Sequence, residues 1–393
     1  MDTFVHEKGP LSVLQQRILF AESHLRTPAF LVENFPEWPQ QAFEKAIGAG
    51  NGCESHAPSA SNTAARRYLP SRGSDELIEL IIRHEQQKYA VTLARESILV
   101  TAGGMHALWL AFRSIAARRP GSTVLCLDTV FVGVANLIRM SGLDIRFVAG
   151  DLAALTVEDV ERHLLDDISS LYTNSPHNPS GEYLSREKMR QISGLCERRG
   201  LSCVVDAVYD SCFFDGGCPT LPTGLGQSDR SYLICSMSKN FGLPGARIGW
   251  LISSEPNIST TLSWLESENV SISSVSQELA IRVLMAGSQP LAASMKVVRG
   301  IVLDFLTREF NIRRLPPAGT QMALRLPFPD VEHFADDALN RHELVLATSS
   351  NYAGCRGGFI RLPFSYLPEN TERALQRLEL AIHTYQERHI QRA

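Results

Sequence analysis

The 393 residues are 44% hydrophobic and 20% charged, with a formal net charge of −4. That balance describes a globular chain long enough for two domains. No basic run, acidic tail or long apolar stretch interrupts it, which argues against a nucleic-acid partner and against a membrane span.

Taken in chain order, Met1–Lys8 has no charged segment followed by an apolar one, so no signal peptide is expected and the location expected is cytoplasmic. Helical patterns cover Leu11 to Ser23 and Gln40 to Ile47, and residues 48–65 are small and polar, as a loop would be. A helix follows from Ser74 to near Tyr89. Strands and helices then alternate. Strands are expected at Ser97–Thr101, Thr123–Leu127, Asp144–Val148, Ile168–Thr173, Ser202–Asp206, Ser231–Cys235 and Ile248–Ile252. Helices lie between several of them, including Ser185–Arg199 with Ser185 as its N-cap. Such alternation implies an α/β fold with a mostly parallel sheet. Long helical patterns run on to about Phe310. A smaller α+β unit closes the chain, with strands near Asn311–Leu315, Met322–Leu326, Leu344–Leu346 and Gly358–Leu362 and helices at Val331–Asn340 and Glu369–Glu387. Eight scattered cysteines, without CxxC or His-rich spacing, read as reduced buried thiols and not as a metal site.

Four segments carry chemistry. Ser236-Met237-Ser238-Lys239-Asn240-Phe241-Gly242-Leu243-Pro244-Gly245-Ala246-Arg247 sets one lysine between hydroxyls and an arginine eight residues on. A lysine amine of lowered pKa forms a Schiff base with an aldehyde, and Ser236, Ser238 and Arg247 suit a phosphate. Taken alone, the segment is equally a surface lysine beside a Gly-Pro loop. Asp206 ends the apolar run Cys203–Val205, where a buried carboxylate keeps a pyridine nitrogen protonated, as pyridoxal phosphate requires; it could also simply cap the next turn. Tyr209, three residues on, can donate to the ring oxygen of that cofactor. Asn178, in the rigid loop Ser175-Pro176-His177-Asn178-Pro179-Ser180-Gly181, can do the same. Ile98–Thr101 followed by Gly103-Gly104-Met105 reads as a strand, a glycine turn and a helix N-terminus open to phosphate. Asn178, Asp206 and Lys239 all fall just beyond strand carboxyl ends, the edge where open α/β sheets bind ligands.

In this order and spacing, the segments resemble the aspartate aminotransferase superfamily of fold-type I pyridoxal phosphate (PLP) enzymes, in particular its class I/II aminotransferases. The resemblance runs from about Tyr68 to near the C-terminus. It implies a large PLP-binding domain with a mostly parallel seven-stranded sheet flanked by helices, and a smaller α+β C-terminal domain. The division expected is an N-terminal segment, 1–70, on the small domain and a dimer partner, a large domain, 71–290, and a small domain, 291–393. Lys239 would be the Schiff-base lysine and proton shuttle. Asp206 would pair with the pyridine nitrogen, and Asn178 and Tyr209 would bind the ring oxygen. Gly104, Met105, Ser236, Ser238 and Arg247 would hold the phosphate. Phe131 would stack on the ring, or else be a plain core residue. Tyr68 would reach the partner's phosphate in a homodimer, and Arg361 would clamp the substrate α-carboxylate.

The substrate half departs from the family pattern. Leu31–Pro39 contains no glycine, Val132 follows the stacking aromatic where proline is usual, and Ala347–Tyr352 replaces a Pro-Gly pair. The reading that results is a PLP-dependent aminotransferase acting on an amino acid and a 2-oxo acid. The alternative is a cyclase, lyase or oxidase of natural-product biosynthesis, resembling capreomycidine synthase, that uses the same machinery. A PLP-sensing transcription regulator fits less well, because no recognition helix precedes the resemblance.

Overall fold

The structure, a computed structural model, describes residues 3–5, 12–33, 35–48, 66–148, 150–214 and 220–390. The polar stretch read as a loop therefore lies almost wholly outside the described residues. Seven strands form the main sheet: β2 (Ile98–Thr101), β3 (Thr123–Leu127), β5 (Asp144–Val148), β6 (Ile168–Asn174), β7 (Ser202–Asp206), β8 (Ser231–Ser236) and β9 (Gly249–Ile252). Their spatial order is β2-β9-β8-β7-β6-β3-β5, and only β9 runs antiparallel to its neighbours. Every residue of β3, β6, β7 and β8 is buried, as expected for parallel strands covered by helices on both faces. The helix Arg186–Arg199 begins where Ser185 accepts a hydrogen bond from the Lys188 amide and ends at Gly200 in the left-handed conformation.

The smaller C-terminal domain is built on a sheet of β1 (Ala29–Leu31), β10 (Gln321–Leu324), β11 (Leu344–Thr348) and β13 (Ile360–Pro363), ordered β1-β11-β13-β10. Its core joins Leu31, Val302, Phe334, Leu346, Leu362 and Leu378. The helix Val13–His24 packs here too: Arg17, fully buried, is paired to Glu332 at 3.1 Å and Asp336 at 2.7 Å. A short ladder of β4 (Val130–Phe131) and β12 (Tyr352–Ala353) ties the two sheets' loops together, with Phe131 opposite Tyr352.

Several expected boundaries change. Ser97 lies in a 3-10 turn, its hydroxyl donating to Ala94 O at 2.6 Å, so β2 starts one residue later. The strand expected near Asn311–Leu315 is absent. Asn311 takes φ +54° and closes the helix Gln289–Phe310, Ile312 N–H returns to Leu306 O, and Pro316-Pro317 then follow without ladder donors. β1, which pairs in parallel with β11, was not anticipated; three residues are too few to show a period.

Candidate active site

Loops from the carboxyl ends of β2, β3, β6, β7 and β8 converge with Arg361 of β13 on one cavity of about 370 Å³. Of the residues singled out in the sequence, Gly104, Met105, Phe131, Asn178, Asp206, Tyr209, Ser236, Ser238, Lys239, Arg247 and Arg361 all line it. Tyr68 does not; it stands 78% exposed.

At one end lies an anion cradle. The helix Gly104–Arg118 opens on Gly104 and Met105 with no acidic residue in its first turn and no side-chain cap. Its amides therefore face the cavity with the positive end of the helix dipole. The helix can lie this close because β9 begins with glycine: a Cβ at Gly249 would stand 2.7 Å from Gly103 C and 2.8 Å from Gly104 N. Arg247, at φ +52°, donates to Ala102 O at 3.1 Å and Pro244 O at 2.9 Å, and its guanidinium occupies the space a Cβ at Gly103 would take. Ser236 Oγ donates to Ser238 Oγ at 3.0 Å.

The floor is Asp206. Burial pushes its carboxyl up to about 6, and hydrogen bonds from the Tyr172 hydroxyl, at 2.8 Å, and the Val208 amide oppose the shift. Lys239, in the short helix Met237–Asn240, has its amine pushed down to about 7, chiefly by burial and then by the Arg361 and Arg247 charges; Glu33 acts the other way. Its ammonium stands 5.3 Å from the Phe35 ring centroid. Burial also holds the phenol of Tyr209 well above its ordinary value.

Arg361 is buried. It donates through Nη1 to the Tyr352 hydroxyl at 3.2 Å and through Nη2 to Val32 O, while its buried Nε finds no partner among the described residues. An orphaned guanidinium N–H at a cavity wall is suited to an anionic oxygen.

The family model described as aminotransferase class I and II matches residues 31–378. The chain belongs to that family. It is an aminotransferase, transferring an α-amino group from an amino acid to a 2-oxo acid. A Pseudomonas syringae pv. syringae protein named L-aspartate:5-guanidino-3-methyl-2-oxopentanoate transaminase is 38% identical over 381 residues, 95% of each chain. The 3-methylarginine biosynthesis aminotransferase of Streptomyces arginensis is 30% identical over 376 residues, 93% of this chain and 95% of its own. The solved structure of Thermotoga maritima aspartate aminotransferase matches with a TM-score of 0.81 at 23% identity, covering 94% of this chain and 96% of its own. These names lend no support to the cyclase, lyase or oxidase alternative.

Sequence reasoning missed three supports of the aminotransferase site. Tyr352 donates to Asn178 Oδ1 at 2.7 Å, which commits that oxygen and keeps Nδ2 for donation elsewhere. Asn174 bridges Asn178 N and Asp206 O, at 2.7 and 2.9 Å. Beneath the lysine lies a buried charged network. Asp210 accepts from Lys88 Nζ at 2.9 Å, Asn240 Nδ2 at 2.6 Å and the Tyr89 hydroxyl, and Asn240 Oδ1 accepts from the Ser211 amide at 3.0 Å. Glu85, also against Lys88, accepts from Trp250 Nε1 at 3.0 Å. The Glu85, Asp210 and Cys235 ligand atoms come within 4.8 Å of one another, but the Lys88 ammonium already supplies the cation there. The network locks the residue after Tyr209 to the residue after Lys239. Asp210→Ala removes one of the two carboxylates paired with Lys88 and leaves the Tyr89 hydroxyl and Asn240 Nδ2 without their acceptor, and should cost about 3–5 kcal/mol of stability. Urea unfolding reads this; a wild-type midpoint would show that the network is not a structural support.

Proposed function

We propose that the aminotransferase holds PLP on Lys239 and passes an amino group to a 2-oxo acid whose side chain ends in a guanidine. The observation that carries the cofactor assignment is the convergence of a depressed lysine amine, a buried carboxylate and an anion cradle in one cavity. The residues fit the group: Asp206 is a buried carboxylate lacking a cation, and the Gly104–Met105 amides with Ser236, Ser238 and Arg247 form a cup for phosphate. PLP, when bound, supplies an electron sink for the carbanion at the substrate α-carbon.

The chain's own residues supply the rest. The Lys239 amine, largely uncharged above about pH 7, would hold the cofactor covalently and would serve as the base and acid for the substrate α-proton. Asp206, fixed in place by the Tyr172 hydroxyl, would hold the proton on the ring nitrogen. Asn178 and Tyr209 would donate to the ring oxygen, and the Phe131 ring would cover one face. Arg361 takes the α-carboxylate through Nε and a neighbouring N–H.

The substrate class is supported by the two relatives above, both concerned with guanidino or methylarginine chemistry. A homodimer belongs to the same reading. The 78% exposed Tyr68 would reach the partner's phosphate, and 1–70 would pack on the small domain and that partner, with 71–290 and 291–393 as the two domains. So does a cytoplasmic location, supported by the unbridged, buried thiols of Cys126, Cys196, Cys203, Cys212 and Cys235; no helix among the described residues is long and apolar enough to cross a membrane.

The test offers the PLP-loaded enzyme L-aspartate with 5-guanidino-2-oxopentanoate, 2-oxoglutarate, pyruvate or 2-oxohexanoate, and weighs the amino-acid products by mass. The guanidino acid should give the highest kcat/KM. Turnover confined to the other three would overturn the substrate class and leave the aminotransferase activity standing.

A further inference from the structure

Five charged residues line the catalytic cavity: Lys239, Arg247, Arg361, Asp206 and Glu33. The first four have roles in the chemistry above. Glu33 has none. It stands in the glycine-free segment Leu31–Pro39 and lines the cavity.

The chain holds Glu33 in place through its backbone. Its amide donates to the Tyr366 hydroxyl at 2.7 Å, its carbonyl accepts from Ser365 Oγ at 3.1 Å, and the preceding carbonyl, of Val32, accepts from Arg361. No hydrogen bond or ion pair to the carboxylate itself occurs among the described residues. The half-buried residue follows Val32, whose carbonyl accepts from Arg361, and lines the cavity with no partner for its carboxylate among the described residues. It lies close enough to Lys239 for its charge to act on that amine.

The surroundings match a particular side chain. Leu14 and Ile18 of the first helix, with Val32 and Val134, give the cavity apolar walls. An arginine-like side chain has an apolar stem and a cationic planar head, and such groups lay the stem on apolar surface and pair the head with a carboxylate.

We propose that Glu33 determines substrate specificity, its carboxylate receiving the guanidinium of the substrate side chain while Arg361 holds the α-carboxylate. The proposal rests on the guanidino-acid reading above.

The experiment compares wild type, E33Q and E33D, each loaded with PLP, on 5-guanidino-2-oxopentanoate, the neutral 2-oxohexanoate and the anionic 2-oxoglutarate. For E33Q, kcat/KM on the guanidino acid relative to 2-oxohexanoate should fall about 10- to 100-fold, mostly through KM. The same ratio for 2-oxoglutarate should rise, because a repelling charge is gone. E33D should recover part of the guanidino preference. If E33Q shifts all three acceptors alike, Glu33 is a structural group or a partner of Lys239, and the inference fails alone. If wild type does not turn over the guanidino acid, the substrate reading fails and takes this inference with it.

Discussion

Lys239→Ala protein is expected to bind PLP without fixing it covalently and to lose activity by at least about 10²–10⁴-fold, the range for a lost proton-transfer group. Borohydride should trap cofactor on the wild type and none on the variant; trapped cofactor on the variant would place the link on another lysine. The same amine gives a pH signature. Burial, with Arg361 and Arg247 adding, brings it from an ordinary 10.5 to about 7. A lowered lysine pKa means that the ammonium, which cannot attack a carbonyl, persists only below about pH 7. The rate of PLP attachment to apoprotein should therefore rise through pH 7 and level off above about 8. An ordinary lysine would still be gaining rate at pH 9, and that profile would refute the shift.

Arg361→Lys is expected to weaken amino-acid binding by about 100-fold. Each hydrogen bond to a charged group contributes about 1.5–3 kcal/mol, and a lysine ammonium cannot present two parallel N–H bonds to one carboxylate. The buried Nε that has no partner among the described residues is lost in the substitution, as is the planar link between Tyr352 and Val32. An amine lacking the carboxylate should lose far less, while cofactor absorbance stays. Equal losses for the amino acid and the amine would make Arg361 a structural residue.

The large domain was legible in the sequence because its strands are short apolar runs separated by helical periods, and the chemistry sits where those runs end. The lysine segment was legible because its residues act on one another locally: Ser236 caps the Lys239 helix, and Arg247 returns to Pro244. The substrate wall was not legible, because its partners are far apart in the chain. Tyr352 meets Asn178 across 174 positions, and Arg361 meets Val32 across 329. No period or local motif announces such pairs. Asn311–Leu315 misled because its composition permits a strand, while the folded-back helix end and the two prolines decide against one. Gly242 has a second role that its place in a Gly-Pro loop does not reveal. Its φ of +60° fits a tight turn, but a Cβ there would also stand 2.2 Å from Pro36 O, so glycine is what admits the N-terminal segment against the lysine loop.

The two-stranded ladder of Val130–Phe131 with Tyr352–Ala353 has a mechanical consequence. Phe131 lines the cavity, and the Tyr352 hydroxyl accepts from Arg361, which also lines it. Because the two residues are register partners, and Tyr352 is hydrogen-bonded to Arg361 of β13, a shift of that strand would reach the aromatic ring through one hydrogen bond and the ladder backbone. If Phe131 and Arg361 play the roles proposed above, gripping the substrate and seating the cofactor would be geared together as a single linkage.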